Sequence, residues 1–241
     1  MIRDEWGEDS VPAKLWVEVG KLAVARGLPV SVGFICDVLA ERTGMLAGLI
    51  LSGKAGTGEL FYATGDLAAR LAELEVTVGE GPVRESLELA SSVFVADLDR
   101  QPSLNRWPAF APLAVEAGVR ACFTFPLAIG VVRAGVLVLY QAGEGAASAD
   151  RLREMLGFAD LLLAVLLSER AGLATLPLAD DFPLVRSVVH QATGMIAAQL
   201  DIAMDDAFAR MRARAFADDR RLADVAEDVV ARKLQFGPEP G

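Results

Sequence analysis

From Phe182 to Phe236 the apolar residues come in three short blocks, each with the three- and four-residue spacing that gathers side chains on one side of an α-helix. The first block, Pro183 to about Leu200, carries Val185, Val188, Val189, Ala192, Met195, Ile196 and Gln199. The second, Asp205 to about Ala217, carries Phe208, Met211 and Ala215, and the third, Arg221 to about Leu234, carries Leu222, Val225, Ala226, Val229 and Val230. Three such faces can bury one another, so residues 182–236 are expected to form a small three-helix bundle. Outside that core, Arg210, Arg212, Arg214, Arg220 and Arg221 fall within twelve residues. With Phe208 placed on the core side and about 100° per residue, Arg210 and Arg214 come out at roughly 200° and 240°. One turn apart, they repel each other, a small cost that a bound polyanion relieves. Spacing leaves two readings open: a solvated face beside a turn, or a patch that tracks phosphates.

The run Val189-His190-Gln191-Ala192-Thr193-Gly194-Met195-Ile196, then Ala207-Phe208 with Met211, Ala213-Arg214-Ala215-Phe216 and Leu222-Ala223-Asp224-Val225-Ala226 resembles the ANTAR family of three-helix RNA-binding modules. The resemblance covers about 55 residues with several motifs in register. It implies a transcription antiterminator that holds paired RNA hairpins so that a terminator cannot form. Many members carry a lysine where this chain has Thr193. On this reading Arg210, Arg214, Arg220 and Arg221 are the candidates for backbone phosphates, with Gln191, Thr193 and Gly194 on the first helix for close approach of RNA. His190 reads as a packed or surface helix residue before an RNA contact.

The preceding residues alternate helical and strand patterns. Helical stripes run from Pro12 to about Ala25 and from Pro29 to Gly44; strands are expected at Met45 to Leu51, Glu59 to Ala63 and Ser92 to Ala96, with Lys54 to Gly58 as a hairpin turn. Asp66 to about Leu74 reads as a helix, and Gly79-Glu80-Gly81-Pro82 as the start of another, where an anion cradle and an ordinary loop-to-helix junction both fit. A polar loop over Asp97 to Pro108 leads to a helix ending near Gly118, then to strands Val119 to Leu127 and Val131 to Tyr140. This order suits a mixed α/β sheet with helices packed on it. Together with Thr77-Val78-Gly79-Glu80-Gly81-Pro82, Val93-Phe94-Val95-Ala96-Asp97-Leu98, Trp107-Pro108-Ala109-Phe110, Gly118-Val119-Arg120-Ala121 and Phe125-Pro126-Leu127, it resembles a GAF domain. The resemblance implies a sensory domain, often dimeric, with a pocket on one face of its sheet for a small molecule. The only histidine, His190, lies outside this part, which argues against haem or a bilin; no resident cofactor is expected, a small-molecule ligand being the alternative.

Ser148 can cap a helix of roughly 23 residues reaching to about Ala171, long enough to span about 35 Å. Leu161 to Leu167 is apolar all round, so Leu156, Leu162, Leu163, Leu166 and Leu167 are candidates for pairing with a second copy. A helix packed only on its own sheet is the competing reading. The expected fold class is α+β: a frayed amino terminus (1–11), a GAF-like sheet with packed helices (12–147), a long linker helix (148–171), a hinge (172–181), the three-helix ANTAR bundle (182–236) and a frayed tail (237–241).

Charge bears on the partner. The formal net charge is −10, and it is unevenly spread: residues 1–182 hold 15 Lys+Arg against 24 Asp+Glu, or −9, whereas 183–241 hold 8 against 9, or −1. The arginines would therefore work as a local cluster, and two copies acting together are expected for tight RNA binding. Cys36 and Cys122 lie in apolar surroundings and read as buried thiols of a reducing cytoplasm. No nucleophile has a histidine base nearby, and Gly53-Lys54-Ala55-Gly56-Thr57-Gly58 has the wrong order for a phosphate loop, so no enzyme activity is expected. With no apolar leader and no span of about 20 apolar residues, the chain reads as a soluble cytoplasmic regulator with RNA hairpins, a second copy, and a ligand or upstream signalling protein as partners. The competing function is a ligand-sensing dimerisation or protein-interaction module without RNA contact.

Overall fold

Two capped helices open the chain. In the computed structural model, which describes residues 10–53, 58–130, 132–170, 183–218, 220 and 222–237, the Ser10 hydroxyl accepts from Ala13 N–H (3.3 Å) to start α1 (Val11–Arg26), and Gly27 ends it with a left-handed φ of 64°. The Ser31 hydroxyl accepts from Phe34 N–H (3.1 Å) to start α2 (Val32–Thr43). The helix expected from Pro29 thus begins later, because Ser31 offers an extended backbone and an oxygen to a free N–H. Replacing Ser31 with alanine should lower stability by about 1 kcal/mol, read as a shift in urea midpoint; an unmoved midpoint would deny it the role of cap. The frayed terminus before Ser10, the hairpin turn at 54–57, the hinge at 172–181 and the tail beyond Gly237 lie outside the described residues.

The sheet comprises β1 (Leu46–Ser52), β2 (Gly58–Ala63), β3 (Val93–Val95), β4 (Ala121–Ile129) and β5 (Val132–Gln141), in the order β2-β1-β5-β4-β3. Every pairing is antiparallel, and with helices packed on the sheet the class is α+β, as expected. The connection from β2 to β3 runs from one edge strand to the other and carries α3 (Asp66–Val78) and α4 (Pro82–Leu89) across the sheet. Within the segment expected as a polar loop lies a short helix, α5 (Gln101–Arg106), where Ser103 Oγ donates to the Asp97 carbonyl (2.8 Å). Next comes α6 (Phe110–Glu116), whose first N–H groups are taken by Glu80 Oε1, from Ala109 (2.6 Å) and Phe110 (3.1 Å).

Side chains alternate across the sheet and fill a separate core on each face. On one face Leu49, Leu137 and Leu139 pack with α1, α2 and α7 (Ala149–Arg170). On the other, Ile50, Val136, Val138 and Tyr140 pack with α3, α4 and α6. Ser148 caps α7 through Arg151 N–H (3.3 Å), and the helix buries Met155, Phe158, Leu161, Leu162, Val165 and Leu166.

The carboxy-terminal bundle comprises α8 (Pro183–Leu200), α9 (Met204–Ala217) and α10 (Leu222–Val230). Its core is Ala192, Ile196, Ala207, Met211, Ala215, Leu222, Val225, Ala226 and Val229, close to the faces read from the spacing. Phe208 differs: it is only half-buried, and Ala207, Met211 and Ala215 mark the core side of α9 instead. Among the described residues no helix is long and apolar enough to cross a membrane.

Candidate nucleic-acid interface

The arginines of α9 divide between two surroundings. Arg214 is exposed, with its guanidinium on Asp218 (2.5 Å), one turn further on. Arg220, in the turn before α10, reaches Asp228 (2.6 Å), and that hydrogen bond raises its pKa. Arg210 is half-buried and makes no ion pair among the described residues. Arg221 lies outside the described residues, as does the side chain of His190. Holding Arg214 and Arg220 on aspartates keeps their side chains ordered at the surface, where an incoming phosphate has to compete with a carboxylate.

On α8, Gln191 is exposed, whereas Thr193 is 5% exposed and turned into the bundle. Its side chain is thereby withdrawn from the close approach expected of it, because the Ala192–Ile196 face it borders is packed against α10. Gly194 is half-buried, and a Cβ built there would meet nothing within 4 Å, so its surface is open rather than pressed against a neighbouring helix.

Arg212, which the spacing did not single out, points the other way. Its Nε donates to the carbonyl oxygen of Thr77 (3.1 Å) in the last turn of α3. The guanidinium lies over the Phe208 ring, 5.9 Å from its centroid, and against Gly79, where a Cβ would collide with it. Val76 on α3 packs against the apolar core of the bundle. Burial, and secondarily the charge of Arg84, lowers the Arg212 pKa. Its position four residues after Phe208 is the signal that could have found it, since an arginine and a ring at that spacing share a helix face.

Behind this seam lies Glu75, 2% exposed. Its Oε2 accepts from the N–H groups of Val83 (2.7 Å) and Arg84 (3.2 Å), the first turn of α4. The anion cradle considered for Gly79 to Pro82 is therefore filled by the chain's own carboxyl. Gly81, at φ 143°, leaves the room, because a Cβ there would overlap the Glu75 carboxyl. Neither Glu75 Oε1 nor the Tyr140 hydroxyl has a hydrogen-bond partner among the described residues. Burial, opposed by the two backbone bonds, pushes the Glu75 pKa up to about 8. Its trace in the sequence was an acid set among apolar residues at helical spacing, with Leu71 and Ala72 one turn before it and Val78 one turn after. Glu75, Val76, Arg84, Phe208 and Arg212 border a crevice of about 30 Å³, room for a water or two.

The leucines of α7 also separate. Leu162 and Leu166 are buried on the chain's own sheet, so that face is already occupied. Leu156 is 44% exposed and Leu167, eleven residues on, is half-buried on the same side, whereas the half-buried Leu163 packs against the chain's own core. Burial of Cys36 and Cys122 raises both thiol pKa values, which keeps them protonated and unreactive. Among the described residues no cluster of His, Cys, Asp and Glu could hold a metal.

Comparison with known families places a GAF domain over residues 28–166 and an ANTAR domain over 184–230. Among solved structures, the GAF domain of a phosphoenolpyruvate-protein phosphotransferase from Acinetobacter is 14% identical, covers 67% of this chain and 93% of its own, and has a TM-score of 0.48. A domain of a sensor histidine kinase protein from Sinorhizobium meliloti 1021 is 18% identical over 57% of this chain and 90% of its own (TM-score 0.45). SdiA of Escherichia coli is 12% identical over 92% of this chain and 99% of its own (TM-score 0.45). At these scores the fold assignment rests on the family matches and on the sheet itself. No curated protein matches the chain.

Proposed function

Because the chain belongs to the GAF domain family over residues 28–166 and continues into an ANTAR domain over 184–230, we propose that it is a signal-responsive regulator that binds paired RNA hairpins as a dimer and so controls transcription antitermination. The general kind follows from the families: a signal-sensing domain joined to an RNA-binding antitermination domain, neither of them catalytic. The observation that carries the finer reading is the outer surface of the bundle, where Arg214 and Arg220 stand exposed with Arg210 half-buried on the same helix as Arg214. Arginines hold backbone phosphates there, and the open surface at Gly194 with exposed Gln191 admits splayed loop bases. Exposed Leu156 with half-buried Leu167 on the same side of α7 supports pairing of two copies, which would bring two bundles to two hairpins.

The test is to reverse Arg210 and Arg214 to glutamate in the full chain. Binding to a two-hairpin transcript should weaken roughly a hundredfold or more, the loss of two charge-assisted hydrogen bonds, while circular dichroism stays native. Unchanged binding would remove both residues from the interface. The engagement of Arg212 by α3 favours a second reading, a protein-interaction module without RNA contact. Salt separates the two: each phosphate contact on single-stranded RNA adds about −0.7 to the log-log slope of affinity against salt.

A further inference from the structure

The contact between α9 and α3 is polar at its centre and uses Gly79, whose left-handed φ also ends α3. Helix α3 has no basic residue in its last turn, although the free carbonyls there make it the negative end of the helix. Arg212 supplies that cation from another element, by its bond to the Thr77 carbonyl. Gly79 at φ 78° gives the guanidinium its seat, since any Cβ would collide with Nη2. Phe208 and Val76 close the contact on the apolar side, both partly buried against the bundle's core. One element opposes the contact: Arg84, whose like charge acts on Arg212 across the crevice. Seated in this way, α9 is held beside a part of the chain whose formal charge is −9, a field that repels phosphate.

We infer that the carboxy-terminal end of α3 is a latch for the RNA-binding bundle: Arg212 and Phe208, seated on Thr77, Gly79 and Val76, hold α9 against the acidic sensor, and unseating them raises affinity for RNA. The inference rests on the RNA-binding reading above and adds its control. The crevice beside the latch shows where a signal would act. With α9 docked it holds a water or two, and anything larger lodged between α3 and α4 would push on Phe208 and Arg212. Ligand occupancy on this face of the sensor and docking of α9 therefore exclude each other.

The test alters the sensor side alone, leaving every bundle residue in place, and uses neutral substitutions so that no charge is added for RNA to meet. In the full chain, Val76→Gln puts a longer polar group into the apolar side of the latch, and Val76→Ala only truncates it. Each is compared with wild type by small-angle scattering without RNA and by binding to a two-hairpin transcript. The expected result is a larger radius of gyration for Val76→Gln with roughly tenfold tighter RNA binding, a common size for coupling between two sites, and a smaller shift of the same sign for Val76→Ala. Expansion with unchanged affinity overturns the latch as a control of RNA binding. An unchanged radius in both variants overturns the latch itself. Should neither wild type nor variants bind the transcript, the RNA reading falls and carries the inference with it, and the scattering still reports separately whether the seam holds. If Val76→Gln fails to fold, Val76→Ala decides by the same two measurements.

Discussion

Raising the pH from 5 to 9 should destabilise the wild-type protein more than a Glu75→Gln variant. The buried carboxyl has its pKa pushed up from 4.5 to about 8 in the folded chain. A folded pKa above the unfolded one means that the folded state holds the proton more tightly. The stability this contributes is complete below about pH 4.5 and is lost as pH rises through about 8. A shift of this size corresponds to about 5 kcal/mol. Glutamine keeps an oxygen for the Val83 and Arg84 N–H groups and offers its own N–H₂ toward Tyr140, so the variant should fold and show a flatter profile. Urea midpoints measured across the range decide it. Parallel profiles for the two proteins would mean that Glu75 is ionised in the fold and that the crevice is wetter than its 30 Å³ suggests.

Gly135→Ala should have the largest effect of any single methyl group in the sheet. Gly135 sits in β5 between Leu51 of β1 and Leu127 of β4. A Cβ there would fall on the backbone carbonyl of Ile50 and within 2.9 Å of the Leu51 Cα. Backbone in a central strand cannot turn aside as a side chain can, so β1 and β5 would have to separate at the point where their pairing ends. We expect a loss of about 3 kcal/mol or more, read by urea denaturation. A wild-type midpoint in the alanine variant would show that β1 shifts at no cost.

Much of the architecture was legible because hydrophobic spacing reports which face of an element is buried. The three bundle helices, the β4–β5 and β1–β2 pairs and the capped start of α7 all follow from it. Strand order was not legible: hydrophobic spacing does not report that the chain bridges from one edge strand to the other over one face. At the interface, Arg210 and Arg214 could be assigned to α9 by periodicity, but the zero of that periodicity was misplaced. Phe208 looked like a fully buried core residue, whereas it is half-buried at the edge of the bundle core with Arg212 over its ring, and periodicity within one helix does not distinguish the two. Thr193 was offered for close approach of RNA on the family resemblance, which does not report its burial. Glu75 and Arg212 were hidden because their partners, α4 and Thr77, come from elements whose meeting is set by tertiary packing.

A five-stranded sheet with a dry core on either side behaves as a stiff board with separate upholstery above and below. Residues 49 and 137 belong to one covering and residues 50, 136 and 138 to the other, and no side chain is shared. Alterations confined to opposite coverings should add independently, whereas those in the β1 and β5 backbone should be felt on both.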